Sequence, residues 1–401
     1  MTKNFALLTM VFFLWGIITA VNSVIILFFY HYFQISWQQA MWVTVLFYIA
    51  PFASSIPSAK LIARCGYRHM LEGSLLVCAT GCIMLALSIH EVEFTGALLS
   101  VFIVAVGVAA LQVVANPYLA LLSAPEQRVR HLSLASAVNS LGTTLAPLCI
   151  AILLKMHPTV IALRQEPMSA MWLALALFSL LLLVGAKLLH LPDVTLPATS
   201  IPAAPGLWRQ PQSVFSVVAI FLYVGVEVAL ATSLLKYLTM SAGWSAETAM
   251  SLITLYWGGA LAGRLLFGLF GRQTQSAAIF KIATLMCALL VMAGMVLNNS
   301  AGGWLLLLAG MGNSVMYPII FSHAINQQPR RANALASAMV MAGIGGAIIP
   351  WLQAQMIEAL NLRLSFLLPL GIYLLLGMWA VLFLRKKEVG QSPSVQLLSQ
   401  P

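Results

Sequence analysis

The chain has 401 residues, 61% of them hydrophobic and only 7% charged, with a formal net charge of +10. An ordinary soluble domain carries roughly 25% charged residues, so this composition excludes a water-soluble fold. The five cysteines (Cys65, Cys78, Cys82, Cys149 and Cys287) lie in or beside apolar stretches without metal-ligand spacing, and read as small packing residues.

Crossing a bilayer takes about 20 mostly apolar residues. Twelve such stretches follow one another, near 5–31, 39–63, 68–89, 94–122, 131–155, 169–190, 213–238, 246–270, 274–297, 301–325, 333–357 and 364–384. The first is too long for a signal peptide and no small-residue cleavage site follows it, so it is expected to stay as a helix. On that span Trp15 and Asn22 share a face, with Ser23 beside Asn22. Between the second and third spans, "SAKLIARCGYRH" supplies Lys60, Arg64 and Arg68, read chiefly as orienting charge. The fourth span places Gln112 and Asn116 one turn apart, just before Pro117. The fifth carries a hydroxyl stripe of Ser133, Ser136, Ser140 and Thr143, with Asn139 beside it.

After the sixth span, residues 191–212 hold five prolines and read as a semi-extended linker. The chain is therefore divided into an N-terminal half (1–190), the linker, a C-terminal half (213–385) and a tail (386–401). In the seventh span, Glu227 is the one carboxylate near a membrane midplane. An ionisable group there points to function by default, either as a proton carrier or as an acceptor for a polar solute; an interhelical structural bond is the plainer alternative. Tyr223 lies one turn before it. The eighth span holds Tyr256 and Trp257, and the tenth holds Asn313 and Tyr317 before Pro318. Pro117, Pro147, Pro318 and Pro350 read as helix kinks, and His31 and His323 as structural.

With both termini in the cytoplasm, sixteen of the twenty lysines and arginines fall on the cytoplasmic side, Arg264 among them. Lys155, Arg164, Lys236 and Arg363 lie opposite. This asymmetry orients the chain and explains the basic excess without a nucleic-acid partner.

The halves repeat. "SLASAVNSLGTTLAP" (133–147) matches "ALASAMVMAGIGGAIIP" (334–350), the "LASA" runs being 201 residues apart, as are Pro117 and Pro318. "VLFYIAP" (45–51) sets Tyr48 against Tyr256 at a slightly larger offset. Two parallel six-helix halves predict an all-α membrane protein of major facilitator architecture, with twelve transmembrane helices in two pseudo-symmetric halves. Equivalent spans one, four, seven and ten carry Asn22, Gln112 with Asn116, Glu227 and Asn313, so they are expected to line a central cavity. Carboxamides that both donate and accept, with aromatic platforms, suit a small neutral polyhydroxyl solute such as a sugar. Each carboxamide taken alone could equally join helices.

The runs "FFLWGIITAVNS" (12–23), "ANPYLALLSAPEQRVRHLSLASAVNSLGTTLAPL" (115–148), "YVGVEVALATSLLKYL" (223–238), "YWGGALAGRLL" (256–266) and "GNSVMYPIIFSHAI" with "GIGGAIIP" are spread over both halves. Together they resemble the fucose/galactose/glucose proton symporter family of the major facilitator superfamily. The resemblance implies an inner-membrane importer that carries a sugar with a proton by alternating access. Where family members keep an Asn-Asp pair in the first span, this chain has Asn22-Ser23, and where fucose-type members keep a glutamate it has Gln112. Ser133 and Ser136 stand where the family has Asn and Gln. The family's "EV" glutamate is retained as Glu227.

The expected substrate-binding set is Asn22, Gln112, Asn116, Ser136, Asn139, Tyr256 and Asn313, with Glu227 as the proton-coupling candidate. No catalytic residue, metal or cofactor is expected, because no nucleophile–base pair, metal cluster or phosphate loop appears. The expected partners are a small solute, a proton and the lipid bilayer, and the chain is expected to act as a monomer. Rival readings on the same fold are an exporter of drugs or metabolites, which the 19 methionines do not exclude, and a solute sensor that does not transport.

Overall fold

The computed structural model describes residues 2–35, 39, 42–156, 165–192, 208–244, 246–272 and 275–384. Residues 193–207 of the proline-rich linker lie outside them, as does the tail, and so do the side chains of Asn22, Ser23, His31, Tyr48, Pro147 and Cys149. Among the described residues the regular structure is helical, without a strand.

Among the described residues, ten helices are long and apolar enough to cross a membrane. One of them belongs to the helix Trp42–His90, whose 49 residues are interrupted at Gly66, with φ 81° and ψ 171°. That conformation is open to glycine and strained for other residues. A length of about 74 Å is more than twice a bilayer's apolar thickness, so this element forms the second and third spans. The helix Arg128–Met156 is the fifth span, which brings the count to twelve.

The tenth and eleventh spans are broken where the hydropathy reading shows continuous helices. Ser300–Asn313 and Met316–Gln327 form the tenth, Ala332–Ala342 and Gly345–Ala359 the eleventh. Pro318 in the first turn of Met316–Gln327 explains the first break, since its ring crowds the preceding turn and it has no N–H to continue the ladder. The second break falls in the glycine run Gly343-Ile344-Gly345-Gly346.

The repeat extends to packing. The first span packs on the fifth, and the seventh on the eleventh, through glycines at backbone contact: a Cβ on Gly16 would strike the Asn139 carbonyl, and one on Gly345 the Phe221 carbonyl. Gly107 of the fourth span is seated on Cys78 of the third, and Gly312 of the tenth on Cys287 of the ninth. Small residues let helix backbones approach where lipid supplies no hydrophobic drive, which accounts for the buried cysteines at those positions.

The halves are joined at the end of the bundle that carries the linker. There Tyr67 donates to Asn333 Oδ1, Arg128 donates to Asn326 Oδ1, and Arg130 Nε donates to the Gly268 carbonyl at 2.8 Å. The basic residues of the loop between the second and third spans do not make these bonds. Arg68 pairs locally with Glu72 at 3.1 Å, and the neutral Tyr67 reaches the other half.

Candidate functional site

Glu227 is buried on the seventh span, with 9% of its surface exposed. One helical turn earlier, Tyr223 donates its hydroxyl to Glu227 Oε1 at 2.7 Å. Arg264 of the eighth span donates through Nη2 to the same oxygen at 3.1 Å and to Tyr223 Oη at 3.2 Å. Its Nε donates to the Ser314 carbonyl at 3.2 Å, in the break of the tenth span. Its Nη1 donates to Ser140 Oγ on the fifth span, in the opposite half. A guanidinium presents five donors in a rigid planar fork, so one side chain can face four partners at once; a lysine could not.

Both charged side chains are 12% exposed. Removing one member of such a buried pair costs about 3–5 kcal/mol, because the survivor is left as an uncompensated charge. Glu227 Oε2 is bound by no other described residue, so one lone-pair face of the carboxylate stays available.

A neutral chain of bonds extends from this pair through the C-terminal half. Tyr256 donates to the Glu227 backbone carbonyl at 2.9 Å, Asn313 Nδ2 donates to Tyr256 Oη at 2.7 Å, and Tyr373 of the twelfth span donates to Asn313 Oδ1 at 2.7 Å. Tyr256, Asn313 and Tyr373 are fully buried. The structure thus brings Glu227, Tyr256 and Asn313 into one network, with Ser140 joined to it through Arg264.

The N-terminal polar residues are placed differently. Asn116 Nδ2 donates to the Gln112 carbonyl at 3.0 Å, while its buried Oδ1 has no partner. The Gln112 side chain is half-buried. Asn139 Nδ2 donates to the Phe12 carbonyl at 2.8 Å, tying the fifth span to the first. The carbonyl of buried Ser136 accepts from Ser140 Oγ at 3.0 Å, and Ser133 Oγ is buried without a partner. Asn22 is placed on the first helix by its backbone, and its side chain lies outside the described set.

A family signature described as Major Facilitator Superfamily matches residues 7–329. A glucose/galactose transporter of Brucella abortus biovar 1 is 31% identical over 94% of this chain and 92% of its own length. The chain belongs to the major facilitator superfamily, and within it to the fucose/galactose/glucose proton symporter family. The L-fucose-proton symporter of Escherichia coli is 26% identical over 86% of this chain and 84% of its own. In fold, the chain matches a solved major facilitator transporter, FucP, in the outward conformation, with a TM-score of 0.81 at 23% identity over 95% of this chain and 99% of that one. This protein is accordingly a multi-pass membrane transporter and not an enzyme.

For a transporter of this superfamily, the residue that spacing alone misplaced is Arg264. The sequence reading assigns it to the cytoplasmic charge, since it lies six residues before the end of the helix Ala246–Phe270. The structure buries it against Glu227 instead. Its helical phase carried only part of the signal: Arg264 follows Tyr256 by eight residues, about 80° past two full turns, which sets it at the edge of the inward face. Ser314 and Tyr373 were also missed. The Ser314 contribution is a backbone carbonyl, which side-chain chemistry does not announce.

Proposed function

We propose that this protein imports a hexose or a closely related sugar across the inner membrane together with a proton, as a monomer with both termini in the cytoplasm. The carrying observation is that Arg264 holds Glu227 of its own half and Ser140 of the opposite half at once. The names of the relatives support a sugar as solute and a proton as the coupling ion. With the cytoplasm at the linker end, the bonds Tyr67–Asn333, Arg128–Asn326 and Arg130–Gly268 close the inner gate, and sugar enters from outside.

Ser23 and Gln112 cannot titrate near neutral pH, so the proton falls to Glu227, whose Oε2 can receive it. A neutral carboxyl no longer attracts the guanidinium as an anion, which frees Arg264 to leave Ser140 and lets the halves part at the inner side. Sugar hydroxyls are then read from the N-terminal half by Gln112, by the unpartnered Asn116 Oδ1, and by Asn22 and Ser136, while Asn139, its amide held by the Phe12 carbonyl, ties the fifth span to the first. Tyr256 and Asn313 hold the C-terminal wall.

The test is uptake of labelled D-glucose, D-galactose and L-fucose into energised right-side-out vesicles, with and without an uncoupler. Accumulation of at least one sugar that collapses with the uncoupler is expected. Accumulation that survives it would contradict proton symport, and no uptake of any hexose, deoxyhexose or amino sugar would contradict the sugar reading.

A further inference from the structure

In an α-helix the N–H of residue i bonds the carbonyl of residue i−4. Residue 318 is a proline, so the carbonyl of Ser314 receives no such bond from it. That carbonyl is the one that accepts from Arg264 Nε, at 3.2 Å. The surrounding backbone is shaped to present it. Ser314 and Val315 form a turn between the helices Ser300–Asn313 and Met316–Gln327, and a Cβ on Gly263, the residue before Arg264, would collide with Ser314 Oγ. The eighth and tenth spans therefore meet closely enough there for the guanidinium to reach the main chain.

We infer that Pro318 is a positioning residue for the charged pair: its missing N–H reserves the Ser314 carbonyl for Arg264, which fixes the guanidinium between Glu227 and Ser140. With Nε anchored, the remaining nitrogens of the planar fork are aimed at Tyr223, Glu227 and Ser140. A backbone carbonyl is a partner that does not titrate and cannot swing away, so this anchor persists whatever the charge of Glu227. Arg264 then pivots about a fixed point when it exchanges partners.

The transport consequence rests on the proposed proton coupling through Glu227; the structural claim does not, and the two are tested separately. Pro318→Ala restores an N–H that competes for the Ser314 carbonyl. In vesicles it is expected to lower the uphill accumulation ratio of a transported sugar at least fivefold while sugar counterflow is retained. Replacing residue 318 by the α-hydroxy analogue of alanine gives an ester link with no N–H and no ring, and is expected to restore accumulation towards wild type.

Equal accumulation by the alanine and ester variants, or wild-type accumulation by Pro318→Ala, would overturn the inference. A second readout needs no transport: the melting-temperature change caused by Pro318→Ala is measured in wild type and in Arg264→Met, in detergent. The two changes are expected to differ by several degrees, because the restored N–H competes with Arg264 only where Arg264 is present. Identical changes in both backgrounds would overturn the inference even if every sugar assay behaves as proposed.

Discussion

The two halves use the same proline to different ends. In the fourth span Pro117 lies inside the continuous helix Phe94–Leu122, and the carbonyl it deprives of a helical donor belongs to Val113. Its repeat equivalent, 201 residues on, is the Ser314 carbonyl that receives Arg264. No arginine stands at the matching place in the N-terminal half. The offset of 208 residues that pairs Tyr48 with Tyr256 sets Ile56 opposite Arg264, and Ile56 is 50% exposed on its helix. Likewise Gln112 and Asn313 are 201 residues apart, yet Asn313 is consumed by Tyr256 and Tyr373 whereas the Gln112 side chain is only half-buried. Pseudo-symmetry thus supplies the scaffold, and its breakage separates a buried charged pair in one half from neutral polar groups in the other.

This division can be broken by substitution. The largest effect is expected from Arg264→Met, which strands Glu227 in the membrane interior and should cost about 3–5 kcal/mol in detergent melting. Adding Glu227→Gln to it should recover most of that loss, and a double variant no more stable than Arg264→Met alone would show that the pair is not a unit. Next, Gly345→Ala forces a methyl group into the Phe221 carbonyl and should cost about 1–3 kcal/mol, as should Gly16→Ala at the equivalent seam of the other half. A large cost in one seam and none in the other would contradict the packing repeat.

A smaller effect is expected from Tyr67→Phe. Losing its hydrogen bond to Asn333 should favour opening of the linker end by about 1 kcal/mol, roughly fivefold, read as faster alkylation of a cysteine placed behind that contact. The smallest is expected from Gln112→Ala, which should raise the sugar KM by up to about tenfold, the worth of one good hydrogen bond, with the proton-to-sugar ratio unchanged. A changed ratio would move coupling into the N-terminal half.

Much of this was legible in the sequence, for identifiable reasons. The spans announce themselves because lipid tolerates so few polar residues, and Glu227 stands out because no other carboxylate lies near a midplane. The matched "LASA" runs and prolines disclosed the repeat. The burial of Arg264 escaped because counting charges from the end of a span ignores which face they occupy, and six residues from an end is within snorkelling reach of the surface. Spacing also left open whether Asn139 binds solute or joins helices; here its amide is spent on the Phe12 carbonyl, a bond between spans that no local pattern encodes. Pro318 marked the break in the tenth span, whereas the break in the eleventh falls at Gly343 and Ile344, before Pro350, in a glycine run that hydropathy does not distinguish from continuous helix.

The most direct test of the central claim is uptake by Glu227→Gln, assayed in one vesicle preparation for gradient-driven accumulation and for exchange. The account predicts that accumulation is lost while exchange of internal for external sugar persists, since a carboxamide can still accept from Tyr223 and Arg264 but cannot carry a proton. Full accumulation by Glu227→Gln would contradict it.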